Sequence, residues 1–587
     1  NQNMQSSDGI QTALLYFKRN VFLPRSEKAL MYTILLQFVL TTVLVLPLHI
    51  SSNPLSPSVW TSNSLRSTFS SAGLFRHVLF IAGTCILAVF HVKYFTVSPI
   101  IIDKRIKRLP NVFDISKLLF YLTAASIGGV FTWCFLGMQD DEYNGLTVMC
   151  MRKSSDTGEN FRDRYCLNEK HLFLVLHGFF SSILWAISYF HGHDRYLKFP
   201  LFSQSFSAAI RPELVSLLRE SFHHVIGCMP WYYIGYYLRG HNLQKAFLKL
   251  ANVQHVNSPL DNLLSLSDLK LGFTLVWVTT LVIFNFKLWC STFQAVHCKS
   301  YKFLVEKDVY NEKSIVINEG LAAWDFHLLQ YLGYLDLRNL SERSQDRRRE
   351  VFSLSTPGGH PHNWNKVTDE CLGLISSFTT HLTSLIYHPS VNTSVNCPPP
   401  EPPIAIPPTP LSPSDHEAML SWLRSRLSLH NLILLPLMEK MKLLYTKTMD
   451  LPFVKYVFGE IPGSNYAKLF ADTQPVIWSV EALGNLIVYS YTEDTFGVVQ
   501  TRIGDILSKF LSLHNILEQL YKTPGFLSRN KLARPLPRDR QLLEALKLTV
   551  KSSIYKIVVT FGGHLKSIPI PPSQKNLLTP FLDFKES

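Results

Sequence analysis

Residues 29–50 read ALMYTILLQFVLTTVLVLPLHI, 22 residues without a formal charge. As a helix this run rises roughly 33 Å, enough to cross a bilayer core of about 30 Å. It is longer than the apolar core of a secretory signal and no small-residue cleavage site follows it, so it predicts a membrane span. Comparable runs lie at 74–97, 118–138 and 172–190. Two weaker ones follow at 221–238, with Pro230 inside and Arg239 closing it, and at 271–296, interrupted by Lys287. The expectation is an all-α membrane protein with six spans.

Charge orients the spans. Of the 57 basic and 43 acidic residues, 27 and 16 precede position 300, so the N-terminal half carries +11 of the net +14. Cations concentrated among apolar runs point to lipid headgroups and topology, not to a nucleic-acid groove. Lys18, Arg19, Arg25 and Lys28 precede the first run, and Lys104, Arg105, Lys107, Arg108 and Lys117 separate the second from the third; both segments read as cytoplasmic. The segment 51–73 holds only Arg66, and 139–171 holds seven acidic residues against five basic ones, so these read as lumenal. Six spans then leave both termini on the cytoplasmic side. The N-x-S/T sequons, at Asn339 and Asn392, fall in the tail and not in the lumenal loops.

Nine cysteines in 587 residues are no disulfide framework. Cys150 and Cys166 share the 139–171 loop, where a pair can oxidise; a disulfide and two free thiols are both compatible with the sequence.

Beyond 296 the apolar pattern becomes amphipathic. Helices are predicted at 321–340, 369–387, 475–489, 496–520 and 543–561, the last stopped by Gly562-Gly563. Nine prolines in 397–413 form an extended linker that splits this tail. Ser414 and Glu417 make a capping box opening a further helix. Its Trp422, Leu423 and Leu427 beside Arg424 and Arg426 suit either a membrane surface or packing within the tail. The predicted organisation is an N-terminal segment 1–28, a membrane domain 29–296, a first helical part 297–396, the linker, and a second helical part 414–587.

Catalytic chemistry is hard to assemble from these residues. There is no G-x-S-x-G elbow, no HExxH and no glycine-rich dinucleotide turn. The stretch RRREVFSLSTPGGHPHNW, 347–364, lacks the Gly-Lys-Ser/Thr of a P-loop, and Pro357-Gly358 fits a type II turn. His360 and His362 could face one metal, and His191 and His193 repeat the spacing, but zinc needs three or four ligands and no further His/Cys pair stands at ligand spacing. The stretch reads as a buried loop joining two helices, with no metal and no cofactor. An endomembrane transferase using the two histidines is the alternative, and a transporter a weaker one. Within the spans the ionisable candidates are His177, read as a packing residue, and Lys287, read as snorkelling or as marking a shifted boundary. Ala124 and Gly128, Ala125 and Gly129, and Gly178 and Ser182 stand four apart, a spacing that lets the third and fourth spans approach closely. Trp231, Tyr232, Tyr233, Tyr236 and Tyr237 give the fifth run an interfacial end.

Four motifs in order carry a family resemblance: LNEKHLF (167–173), the 347–364 stretch, SYTEDTFGVVQ (490–500) and SIYKIVVTFGGHL (553–565). With six spans and a helical tail, the chain resembles the transmembrane nucleoporins of the nuclear division cycle one family. The resemblance implies a non-enzymatic scaffold of the nuclear pore membrane ring, active in pore assembly, with short lumenal loops. It implies partners among membrane lipids and nucleoporins: the propeller protein aladin, the inner-ring nucleoporin of RRM-like, membrane-binding character, and other membrane-ring members. No direct nucleic-acid contact is implied. Family members carry a longer Ser/Pro-rich segment where this chain has only 397–413, so phosphorylation sites in such a segment do not transfer.

Overall fold

The computed structural model describes residues 11–50, 57–97, 114–139, 143–150, 164–192, 194–200, 204–251, 253, 255–257, 260, 268–306, 315–354, 359–387, 473–522, 537–568 and 570–583. Among the described residues, seven helices build the N-terminal part: α1 (Gln11–His49), α2 (Pro57–Phe69), α3 (Ser71–Tyr94), α4 (Ile115–Leu136), α5 (Glu169–His191), α6 (Phe206–Ala251) and α7 (Leu269–His297). Five of them, α1, α3, α4, α5 and α7, are long and apolar enough to cross a membrane. The weak run at 221–238 lies inside α6, a 46-residue helix with Pro212 and Pro230 within it.

The helices begin a few residues earlier than their apolar runs because polar residues cap them. Ser70 accepts a hydrogen bond from Gly73 N, Asp114 from Ser116 N, Asn168 from His171 N and Asp268 from Lys270 N. α7 sits at the centre, packed against α1, α3, α4, α5 and α6.

The packing pattern of α1 is that of a helix dissolved in lipid. Thr33, Gln37 and Thr41, four apart, are buried, while Met31, Leu35, Val39 and Val43 are exposed. In water the two faces would be reversed. Thr33 Oγ1 pairs with Thr292 Oγ1 of α7, Gln37 Oε1 accepts from Thr84 Oγ1 of α3 at 3.1 Å, and Trp277 Nε1 donates to Leu44 O at 2.9 Å. Polar contacts of this kind join helices where apolar burial supplies no drive.

A small sheet corrects the all-α expectation. β1 (Thr147–Cys150) pairs antiparallel with β2 (Arg164–Asn168), and β2 pairs parallel with β3 (His255–Asn257). Strands of three to five residues are too short to register as an alternating pattern.

The chain divides into two compact units: Asn1–Pro99, Val112–Cys371 and Trp478–Ile503 form one, and Ile100–Asn111, Leu372–Ile477 and Gly504–Ser587 the other. The tail helices are α8 (Ile317–Leu321), α9 (His327–Arg343), α10 (Gln345–Val351), α11 (His362–Tyr387), α12 (Thr473–Glu493), α13 (Ile503–Lys522), α14 (Pro537–Phe561) and α15 (Pro572–Leu582). Four helix starts differ by several residues from the sequence reading: α11 and α14 begin earlier than expected, at His362 and Pro537 in place of 369 and 543, and two others begin later. The helix expected from 321 starts at His327, because α9 crosses the end of α8 at Gly333, where a Cβ would stand 3.1 Å from Gly320 C. The helix expected from 496 starts at Ile503. Ahead of it Asp494 accepts from Phe496 N and Val499 N, and Gly497 takes φ +66°, a loop that residue hydrophobicity does not reveal. The linker 397–413 lies outside the described residues.

Candidate functional site: the membrane bundle and its signature clasp

The stretch beginning RRR is a clasp. Arg347 donates to both oxygens of Asp336 on α9, at 3.1 and 2.6 Å, and to Phe303 O at 2.7 Å, while Asp336 Oδ2 also accepts from Phe303 N. One buried carboxylate thus fixes the chain as it leaves the membrane bundle. Arg348 makes a two-pronged pair with Glu493 of α12, Nε to Oε2 at 2.9 Å and a terminal nitrogen to Oε1 at 2.7 Å. Its guanidinium lies 3.9 Å from the Tyr489 ring centroid. The hydrogen bond to Glu493 holds Arg348 above its ordinary pKa despite burial. Two motifs 145 positions apart in sequence therefore meet through one ion pair.

His360 and His362 are both exposed, which corrects the expectation of a buried loop; it is Phe352 and Trp364 that are buried, with rings 6.0 Å apart. Pro357-Gly358 and His193 lie outside the described residues. Among the described residues no group of three His, Cys, Asp or Glu stands close enough to hold a metal. Burial pushes the Cys371 thiol up to about 12, far from a reactive thiolate.

The motif LNEKHLF organises the opposite end of the bundle. Glu169, 2% exposed, accepts from Tyr236 OH at 2.9 Å, Gln244 Nε2 at 3.0 Å and Leu260 N at 2.9 Å. Three hydrogen bonds satisfy a buried carboxylate and tie α5 to α6 and to the connection before α7. His171 Nδ1 contacts Tyr143 O at 2.6 Å.

Inside the bundle, His177 Nδ1 meets Thr279 Oγ1 at 2.9 Å. Lys287 lies within α7 and pairs with Glu220 of α6 at 3.0 Å, with Asp194 at 4.0 Å. Ser291 of α7 donates to Glu213 of α6. Both acids fall just ahead of the run at 221–238, so span-by-span inspection missed them. At the α4–α5 contact a Cβ on Gly128 would overlap Ser182, one on Gly178 would overlap Thr132, and one on Gly129 would overlap the Phe179 ring. Gly128 O would stand 3.2 Å from a Cβ on Gly178. Ala124 and Ala125 are buried on the same helix. Cys166 is disulfide-bonded and Cys150 ends β1. Trp422, Leu423, Arg424, Arg426 and Leu427 lie outside the described residues.

What the geometry offers is attachment: a lipid-facing bundle, a clasp joining tail helices to it, and no assembled reactive centre among the described residues. Comparison with known proteins agrees. The family model described as Nucleoporin protein Ndc1-Nup matches residues 21–579. The protein called Nucleoporin NDC1 in Mus musculus is 26% identical over 94% of this chain and 95% of its own length. Its counterpart in Xenopus laevis is 27% identical over 91% and 94%, and that in Homo sapiens 25% over 96% and 97%. The chain belongs to the Ndc1-Nup family of nucleoporins, structural transmembrane components of the nuclear pore rather than enzymes, resident in the pore membrane of the nuclear envelope.

Proposed function

We propose that the chain anchors the pore scaffold to the membrane by six crossings, with α6 as the sixth, and supports pore assembly through its tail. The observation that carries this reading is at the ends of the bundle. Arg25 of α1 donates to His297 O at 3.3 Å, Lys299 O at 2.8 Å and Ser300 O at 3.1 Å, so the start of α1 and the end of α7 share one side. An even number of crossings accounts for this arrangement. α6 supports the count: Glu213 and Glu220 meet the later part of α7, whereas Tyr236 meets Glu169 at the start of α5.

The membrane domain 29–296 then acts as one handle with 297–371 and with 478–503, since Phe199 packs on Tyr331 and Trp478 with centroids 5.5 and 5.6 Å apart. Beyond the Pro-rich linker, α12 stays on this handle through Trp478 and Glu493, and the helices after Ile503 reach other nucleoporins. Family membership favours aladin, the RRM-like inner-ring nucleoporin and other membrane-ring nucleoporins as the partners. In the lumen we assign a Cys150–Cys166 disulfide. It is supported by oxidised Cys166 and by the thiol state of the other cysteines whose side chains are described, Cys85, Cys134, Cys228, Cys290, Cys298 and Cys371.

Cross-linking mass spectrometry on native nuclear envelopes tests the reading. Links from the tail lysines to aladin and to the inner-ring nucleoporin are expected, and a tail linked only to proteins of the bulk reticulum would overturn it.

A further inference from the structure

A cavity of about 740 Å³ opens between the ends of α1 and α3 beneath Phe326. Its position relative to the bilayer follows from the rings around it. Phe22 stacks on Phe95, 5.6 Å between centroids, and meets His297 at 4.8 Å. Those residues stand where α3 and α7 both end, so Phe22 marks the level at which the apolar core stops. One turn earlier on α1, about 5.4 Å further out, lie Lys18 and Arg19, both exposed and both lining the cavity. They sit at headgroup depth. Lys18 Nζ is 5.4 Å from the Phe326 centroid, under the roof of the cavity. This turn, Lys18–Phe22, is π-helical, a local widening that recurs at functional sites.

The floor has the opposite character. Leu23 and Val92 line it, and below them the two helices turn lipid-facing residues outward, Met31 and Leu35 on α1 and Val89 on α3. A ligand filling this space needs negative charge at one end and an aliphatic body at the other, and it must reach the site from within the membrane. We propose that the cavity binds one anionic glycerophospholipid, its phosphate between Lys18 and Arg19 and its upper acyl chain over Leu23 and Val92. The volume falls within the range of about 300–1,000 Å³ usual for small-molecule sites. The site rests on α1 crossing the membrane as read above. A bound lipid would wedge α1 to α3 and would couple the pore-side attachment to leaflet composition.

The test uses the full chain, purified in detergent and equilibrated with an equimolar mixture of phosphatidylcholine and phosphatidic acid, with retained lipid read by native mass spectrometry. Phosphatidic acid retained in preference to phosphatidylcholine is expected. Lys18→Gln/Arg19→Gln lowers that affinity about thirtyfold, each basic residue near an anionic surface contributing roughly fivefold. Phe326→Leu, which keeps the charges, weakens it to a lesser degree. The charge-matched pair Arg349→Gln/Lys366→Gln leaves it unchanged. Unaltered preference in the Lys18/Arg19 variant, equal loss in the matched pair, or displacement of the lipid by glycerol 3-phosphate as effectively as by phosphatidic acid overturns the proposal. Alkaline extraction of the same variant from membranes reports on anchoring by itself, so a lost site and a lost span are told apart.

Discussion

Arg348 shows how much one side chain holds. Its side chain and that of Glu493 are each 7% exposed, so the pair is largely removed from water. Removing one partner leaves the other charge buried and unpaired, which costs about 3–5 kcal/mol. Arg348→Ala should therefore lower the thermal unfolding midpoint of the detergent-purified chain steeply. Arg348→Lys should rescue little, because an ammonium cannot make the forked pair and stacks less well on Tyr489. A lysine variant that melts like the parent would show that only the charge matters. His514 of α13 makes a different kind of contribution. Burial against Phe581 lowers its pKa, Lys547 and Lys551 lower it further, and Glu518 opposes them. The folded chain thus keeps His514 neutral where the unfolded chain takes up a proton. Its contribution is complete above the ordinary value of 6.5 and is lost as pH falls from there towards the depressed folded value. Midpoints measured between about pH 5 and 7.5, around the histidine range, should fall on acidification, and His514→Gln should flatten that slope.

At the scale of elements, the contact between α4 and α5 makes the sharpest contrast available. Gly128 and Gly178 face each other's backbone, whereas a Cβ on Gly227 or Gly235 of α6 meets nothing within 4 Å. Gly128→Leu should destabilise by about 1–3 kcal/mol or more through overpacking, and Gly235→Ala by much less. Thermal aggregation followed by size-exclusion chromatography ranks the two, and equal losses would remove the close-approach argument. The small residues of α4 and α5 were legible in the sequence because lipid-phase packing depends on spacing within one helix. The Thr33, Gln37, Thr41 stripe of α1 is written at the same spacing, but its residues are neutral and polar, so a count of charges does not reveal it. What the sequence could not supply was any partner far along the chain. Lys287 with Glu220, Arg348 with Glu493 and Glu169 with Gln244 are 67, 145 and 75 positions apart, and no local period encodes such pairings. The four motifs flagged a family without showing that two of them meet.

For the whole molecule, the decisive quantity is parity. Five crossings would carry the chain after α7 into the lumen, away from the start of α1, yet Arg25 binds the backbone where α7 ends. α6 is less apolar than the other five because its stretch 221–238, though free of charge, is diluted by His223, His224, Pro230, Trp231 and four tyrosines. Its 46 residues nevertheless rise roughly 69 Å, more than twice the thickness of the hydrocarbon core, so it can cross and still extend beyond both faces. Oligosaccharide transfer reports which side a loop occupies. Leu264→Ser creates the acceptor Asn262-Leu-Ser between α6 and α7, and Phe113→Thr creates Asn111-Val-Thr between α3 and α4. With six crossings Asn262 is glycosylated, while Asn111 and the natural sequons at Asn339 and Asn392 are not. If α6 merely lay on the pore-side surface, the pattern would invert after it: Asn262 unmodified, and the tail sequons delivered to the lumen. A mobility shift removed by endoglycosidase distinguishes the two patterns, and an unshifted Leu264→Ser chain would sink both the six-span anchor and the placement of the tail beside the pore scaffold.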